Sequence, residues 1–327
     1  MKALLLFLIV FYSAGVRAQV QPAIRADFPD PTVVRVGEKY YAYGTNSGTA
    51  GKWYNIPVAV SEDLKSWKIV GDALPVRPVW ADRDFWAPHV LYNEQLKKFV
   101  LFYAAETTDS KEGKAIGVAF SEKPEGPFID SGKPLLIGAS FEAIDPMTLK
   151  DLQTGKYYMA WGSASQPIRI RELNPGMTEF ADGSKAIELI QPGADKTYGR
   201  LIEGAWIDYD HGFYYMYYSG DNCCGINAHY AIMVARAKKI TGPYTRLGAV
   251  AANKSSVILE QDSFLVAPGH NSVFSDRAGN KWIAYHAIPR EDFKKGNYHR
   301  FMYLNRLVYK NGWPVVVKTG RTLVEKE

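Results

Sequence analysis

One pattern recurs five times along the chain, and it restricts the fold more than any other feature. Each copy opens on a polar or small tip and continues with alternating apolar residues. A polar turn follows, then a strongly aromatic run. The copies are residues Asp27–Thr45, Asp84–Ala105, Glu142–Ser163, Leu201–Gly220 and Pro268–Ala287. Apolar alternation on either side of a short turn marks a β-hairpin. With Asp30, Ala87, Asp145, Glu203 and Asn271 taken as the tips, the separations are 57, 58, 58 and 68 residues. Further apolar runs between the hairpins, such as Ile56–Trp67, Ala115–Phe128 and His229–Tyr244, supply a second hairpin to each repeat. Five units of four strands predict an all-β chain folded as a five-bladed β-propeller.

The composition agrees. Hydrophobic residues make up 47% and charged residues 22%, enough to bury a sizeable core and to exclude disorder. The chain punctuates its strands with 28 Gly and 18 Pro. The repeats use up residues 19–327, which predicts a single domain with no appended module. Residues 1–18 read as a signal peptide. Lys2 is followed by an apolar run from Leu4 to Tyr12, and Val16 and Ala18 fit a cleavage site, so a secreted or periplasmic protein is expected. That run is too short to span a bilayer, and no other stretch reaches ~18 apolar residues, so no membrane span is expected. Loss of Lys2 and Arg17 with the leader lowers the net charge from +5 to +3. No basic run stands out, which argues against nucleic acid and for a neutral or weakly charged substrate. A monomer is expected. The only cysteines, Cys223 and Cys224, are adjacent. They cannot form spaced zinc-ligand pairs, and a vicinal disulfide and two buried thiols both remain open.

Equivalent positions in a radial array meet near its axis on one face. Asp30, Asp145 and Glu203 are therefore expected to converge. Asp-Pro is a common turn starter, so Asp30-Pro31 and Asp145-Pro146 also admit a purely structural role. Glu203, a poor turn former at the start of an apolar strand, does not fit that reading as easily. Clustered carboxyls beside aromatics split in pKa, so that one stays protonated while another is ionised. That split provides the general acid and base that glycoside hydrolysis requires. Sugar rings stack on aromatic faces, and Phe85, Trp86 and Trp161 stand at or near the tips, with Trp86 the strongest substrate contact. Asn271 is a candidate donor to sugar hydroxyls. His270, just before it, could bind a metal through water or hydrogen-bond the carboxylates. His89 and His286 read as structural or substrate-facing.

The motifs Asp27-FPDPTVVRVGEKYYAYGT-Thr45, Asp84-FWAPHV-Val90, Ile144-DPMTLKD-Asp151, Ile202-EG-Gly204, Pro268-GHNSVF-Phe274 and Gly312-WP-Pro314 resemble glycoside hydrolase family 43, in the family's order, over residues 24 to about 317. The resemblance implies a five-bladed propeller and a single-displacement, inverting mechanism. It assigns Asp30 as general base, Glu203 as general acid, and Asp145 as the residue that tunes the acid and orients it or the sugar. It matches Arg300 with an arginine that contacts the sugar, and His270 with a position near a channel cation, often calcium. No organic cofactor is implied. Ala205 stands where proline is commoner. The GHNS and GWP segments and Ser219–Gly225 lean towards arabinan-active members. The expected function is an exo-acting α-L-arabinofuranosidase on plant cell-wall arabinan or arabinoxylan. Endo-α-1,5-L-arabinanase and β-xylosidase are the alternatives within the family. A catalytically inactive sugar-binding propeller is the alternative from another class, and the three intact carboxyls speak against it.

Overall fold

In the computed structural model, which describes residues 21–49, 51–109, 113–162, 165–193 and 198–318, the repeats are five antiparallel sheets in chain order. Blade 1 runs Thr32–Val36, Lys39–Tyr43, Pro57–Ser61, Lys68–Asp72. Blade 2 runs Ala81–Asn93, Lys98–Thr107, Lys114–Ser121, Ile129–Asp130. Blade 3 runs Met147–Lys150, Tyr157–Trp161, Ile168–Glu172, Ile187–Ile190. Blade 4 runs Ile202–Asp210, Phe213–Asn222, His229–Ala237, Thr245–Arg246. Blade 5 runs Leu265–Ser275, Lys281–Pro289, Phe301–Lys310, Trp313–Val317. The five-bladed propeller expected from the repeats is the fold. The signal-peptide reading of residues 1–18 lies outside the described residues. No helix among the described residues is long and apolar enough to cross a membrane.

The second strands carry long, nearly unbroken apolar runs, unlike half-exposed strands, because each blade is covered on both faces. Phe-Tyr-Tyr-Met-Tyr-Tyr of blade 4 and Phe-Val-Leu-Phe-Tyr-Ala-Ala of blade 2 are buried almost throughout. One cluster of apolar side chains fills each gap between neighbouring blades. Tyr43, Phe85 and Tyr103 lie between blades 1 and 2, and Phe102, Tyr157 and Trp161 between blades 2 and 3. Ile170, Tyr214 and Tyr218 lie between blades 3 and 4, and Tyr217, Tyr285 and Trp313 between blades 4 and 5.

Phe28, Val33, Phe274 and Met302 seal the ring between blades 5 and 1, where no strand is exchanged. Polar contacts reinforce this seam. Ser272 Oγ donates to the Pro31 carbonyl at 2.8 Å and accepts the Val33 N–H at 3.1 Å. The Phe28 N–H reaches the Arg300 carbonyl at 2.8 Å.

The strand order sends every connection from second to third strand to the face that carries the tips. Three of these connections are built up. Blade 1 raises a small hairpin, Ser47–Thr49 with Lys52–Tyr54. Blade 4 carries the Cys223–Cys224 loop, and these cysteines are bonded to each other, which resolves the open choice. Blade 5 carries the short helix Arg290–Lys294.

Candidate active site

The first strand of each blade carries, or closely follows, a tip residue with positive φ: Asp30 (54°), Ala87 (46°), Asp145 (55°), Gly204 (59°) and His270 (46°). For a residue with a side chain this conformation costs about 1–3 kcal/mol, and such strain gathers at functional sites. Positive φ also marks the true register of the tips. By that register the fourth and fifth tips are Gly204 and His270, each one residue away from the Glu203 and Asn271 that the sequence spacing suggested, and in blades 2, 4 and 5 the tip lies in a β-bulge of the first strand.

The turned-out N–H of four tips is caught by a side chain of the preceding blade. Asp30 N donates to His286 Nδ1 (3.1 Å), Ala87 N to Thr45 Oγ1 (2.8 Å), Gly204 N to Asp145 Oδ2 (2.9 Å) and His270 N to Ser219 Oγ (2.8 Å). The ring of blades is thus latched at the level of the carboxyls.

Asp30, Asp145 and Glu203 share this site. His270 Nδ1 lies 3.4 Å from Asp30 Oδ1 and 3.9 Å from Asp145 Oδ2, so one imidazole touches both carboxyls. Asp145 holds the backbone next to Glu203 through Gly204, and Glu203 Oε1 accepts the Tyr230 hydroxyl at 2.7 Å. Asp30 is the most heavily solvated by protein. Its carboxyl receives the Thr45 hydroxyl and an Arg300 N–H at 3.2 Å, and lies 3.0 Å from His286 Nδ1.

Burial by itself would raise all three acids. At Asp30, Arg300, His270 and His286 together outweigh burial and hold the carboxyl well below the usual range. At Asp145, burial and the negative charges of Glu203 and Asp30 push it well above. At Glu203, burial dominates. The Tyr230 hydrogen bond opposes it and the charge of Asp30 adds to it, leaving the group at about 7. The cluster therefore holds its carboxyls in opposite states near neutral pH, one favoured ionised and others favoured protonated, which is what acid–base catalysis needs.

A pH profile follows. If Glu203 must be protonated, kcat/KM should fall as pH rises through about 7, while ionised Asp30 keeps the acidic limb below the ordinary carboxylate range. A profile flat to pH 9 would be incompatible with this assignment.

A model of glycosyl hydrolases family 43 matches residues 20–314. The chain belongs to glycosyl hydrolases family 43. It is a glycoside hydrolase acting on glycosyl bonds. Among curated relatives, an extracellular endo-α-(1→5)-L-arabinanase 1 of Bacillus subtilis is 27% identical over 87% of this chain and 86% of its own. An extracellular exo-α-(1→5)-L-arabinofuranosidase of Cellvibrio japonicus is 26% identical over 90% and 87%. Among solved structures, an endo-1,4-β-xylanase of Bacteroides thetaiotaomicron superposes with a TM-score of 0.76 at 27% identity, covering 92% of this chain and 97% of that one.

In this family 43 chain the candidate sugar contacts divide. Trp86 is half-buried beside the second tip. The Lys114 ammonium lies 3.9 Å from its ring centre, and Phe141, 47% exposed, stacks parallel to it at 6.2 Å. Lys114 is itself fixed by Asp84 at 2.7 Å and Glu106 at 2.6 Å, so the indole rests on a rigid base. Arg300 reaches the site, where it pairs with Asp30.

Phe85 and Trp161 do not reach it. Phe85 is 1% exposed and packs on Tyr103, while Trp161 packs against Phe180 in the cluster between blades 2 and 3. Both fill gaps between blades because alternation along their strands turns them away from the axis. Asn271 is buried, and neither of its amide atoms has a protein partner.

The channel cation implied by the resemblance meets a sparse donor set. No group of three or more His, Cys, Asp or Glu among the described residues is arranged to hold a metal directly. Asn271 and His286 Nε2 are buried out of reach of water, so His270 alone of these residues could meet a cation through its water shell. Bound there, it would add positive charge beside the carboxyls.

Thr45 and Tyr230 are site residues that the sequence reading did not single out, and His286, read there as structural or substrate-facing, joins them beside Asp30. Their only signal is position, since Thr45 and His286 fall at or near the upper ends of second strands, beside the next blade's tip.

Proposed function

We propose that this chain is an inverting, exo-acting α-L-arabinofuranosidase of plant cell-wall arabinan or arabinoxylan, with Asp30 as general base, Glu203 as general acid and Asp145 as the group that tunes the acid and orients it or the sugar. One observation carries the reading: His270 touches both Asp30 and Asp145, Asp145 holds the backbone beside Glu203, and the ionisation of Asp30 and Glu203 is pushed in opposite directions. Ionised Asp30 takes a proton from water as that water attacks the anomeric carbon. Protonated Glu203 delivers its proton to the leaving oxygen, and the bond to that oxygen breaks. Arg300 beside Asp30 and Trp86 at the rim supply polar and stacking contacts for the ring.

The names of the curated relatives support arabinan as the polymer. The raised hairpin of blade 1, the disulfide loop of blade 4 and the helix of blade 5 stand around the tips and favour a pocket that takes a chain end. A product assay tests the mode of attack and the sugar together. Linear α-1,5-arabinan should release arabinose alone from the first minutes, with proton NMR showing the inverted anomer first. Aryl α-L-arabinofuranosides should be cleaved and aryl β-xylosides hardly touched. Early arabino-oligosaccharides would mean endo action, and a retained anomer would overturn the single displacement.

A further inference from the structure

We infer that Tyr230 and His286 are positioning residues that together set the acid against the base, an inference that rests on the roles proposed for Glu203 and Asp30. Those two carboxyls belong to blades 4 and 1, which are not neighbours, because blade 5 stands between them in the ring. Inversion needs a fixed gap between the two, wide enough for the attacking water. That spacing has to be transmitted across blade 5.

The structure holds a short, rigid path that does this. The Tyr230 hydroxyl, on the third strand of blade 4, donates to Glu203 Oε1 at 2.7 Å. The ring of Tyr230 lies parallel to that of His286 on the second strand of blade 5, with planes 3° apart and centres 5.8 Å apart. His286 Nδ1 then lies 3.1 Å from the backbone nitrogen of Asp30 and 3.0 Å from its Oδ1. Unprotonated, Nδ1 accepts the Asp30 N–H; protonated, it donates to the carboxylate. In either tautomer the imidazole holds Asp30.

Both rings are fully buried. Gly269 pairs with His286 across the ladder, and a Cβ on it would come within 1.9 Å of the Tyr230 ring, so the tyrosine has no room to slide. Two hydrogen bonds and one confined stack thus join the reacting groups.

The Tyr230 contact also decides where the proton of the acid sits. A carboxylic acid carries its proton on one oxygen. With Oε1 occupied by a donor, the proton belongs on Oε2, the oxygen left for the leaving group. The phenol stays protonated in this role, because burial and the negative charge of Glu203 keep its pKa well above the normal value.

The test compares Tyr230→Phe, His286→Gln and Glu203→Gln with wild type on an unactivated arabino-oligosaccharide and on a dinitrophenyl arabinofuranoside, with melting curves for each protein. Tyr230→Phe should lower kcat on the oligosaccharide about ten- to a hundredfold, as expected for losing a hydrogen bond to a charged group. The activated substrate, which needs less protonation, should lose less than about threefold, with KM unchanged. His286→Gln acts through the base and should lower kcat on both substrates alike. The double variant should lose less than the product of the two single losses, because the residues act as one unit.

Equal losses on both substrates for a folded Tyr230→Phe, or a change in KM alone, would overturn the inference. Glu203→Gln separates this from a failure of the underlying roles. If it shows the leaving-group split and Tyr230→Phe does not, only the positioning inference falls; if it shows none, the acid assignment falls first. Should His286→Gln melt below the assay temperature, Tyr230→Phe decides alone, since it removes a single oxygen.

Discussion

Asp30→Asn should lower kcat/KM by about 10³-fold or more on every substrate, within the range a general base contributes, while the protein keeps its circular dichroism spectrum and melts close to wild type. The substitution preserves size. The amide oxygen can still accept from either Arg300 or Thr45, which donate to different oxygens of the carboxylate, and the backbone N–H still reaches His286. What is lost is the negative charge that takes a proton from water. Activated leaving groups give no relief, because the base acts on the nucleophile. A second signature separates this from misfolding: the charge of Asp30 raises Glu203, so any residual activity should lose its alkaline limb at a lower pH than wild type. Activity within tenfold of wild type would remove Asp30 from the role of base.

Glu203→Gln should divide substrates by leaving group. On arabino-oligosaccharides the fall should be about 10³-fold, whereas on dinitrophenyl glycosides it should be about tenfold or less, because a good leaving group departs without a proton. Gln keeps an acceptor for the Tyr230 hydroxyl, so the wall of the site stays in place. The fall in kcat/KM above about pH 7 should vanish from the residual activity, since the group that titrates there is gone. A similar loss on both kinds of substrate, or an alkaline limb that persists, would assign the proton to another donor. Asp145, also raised by burial and by its two acidic neighbours, is the first to examine.

The carboxyl cluster could be read from the chain because it depends on periodicity. Tips about 58 residues apart must meet once the blades close, so residues far apart in sequence predict one place. The side chains around that place could not be read in the same way. Phe85 and Trp86 are neighbours in the chain, yet one is buried on Tyr103 and the other stands at the rim beside Phe141. The fourth and fifth tips, Gly204 and His270, each differ by one residue from the spacing-based choice, because backbone conformation at the tip leaves no mark in the composition. His286 and Tyr230 look like ordinary members of aromatic strands, and only their contacts with Asp30 and Glu203 in the closed ring give them a place in the site.

The amino-acid sequence alone determined the five-fold repeat, the aromatic strands and the acidic tips, because these follow from local alternation and regular spacing. Only the folded ring decided which acid is favoured ionised, which aromatics stand beside the tips rather than in the core, and which side chains of one blade hold the next. Ionisation depends on burial and on charges brought within a few ångströms by chain closure. In this ring those neighbours come from other blades, as Arg300 and His286 of blade 5 do for Asp30 of blade 1.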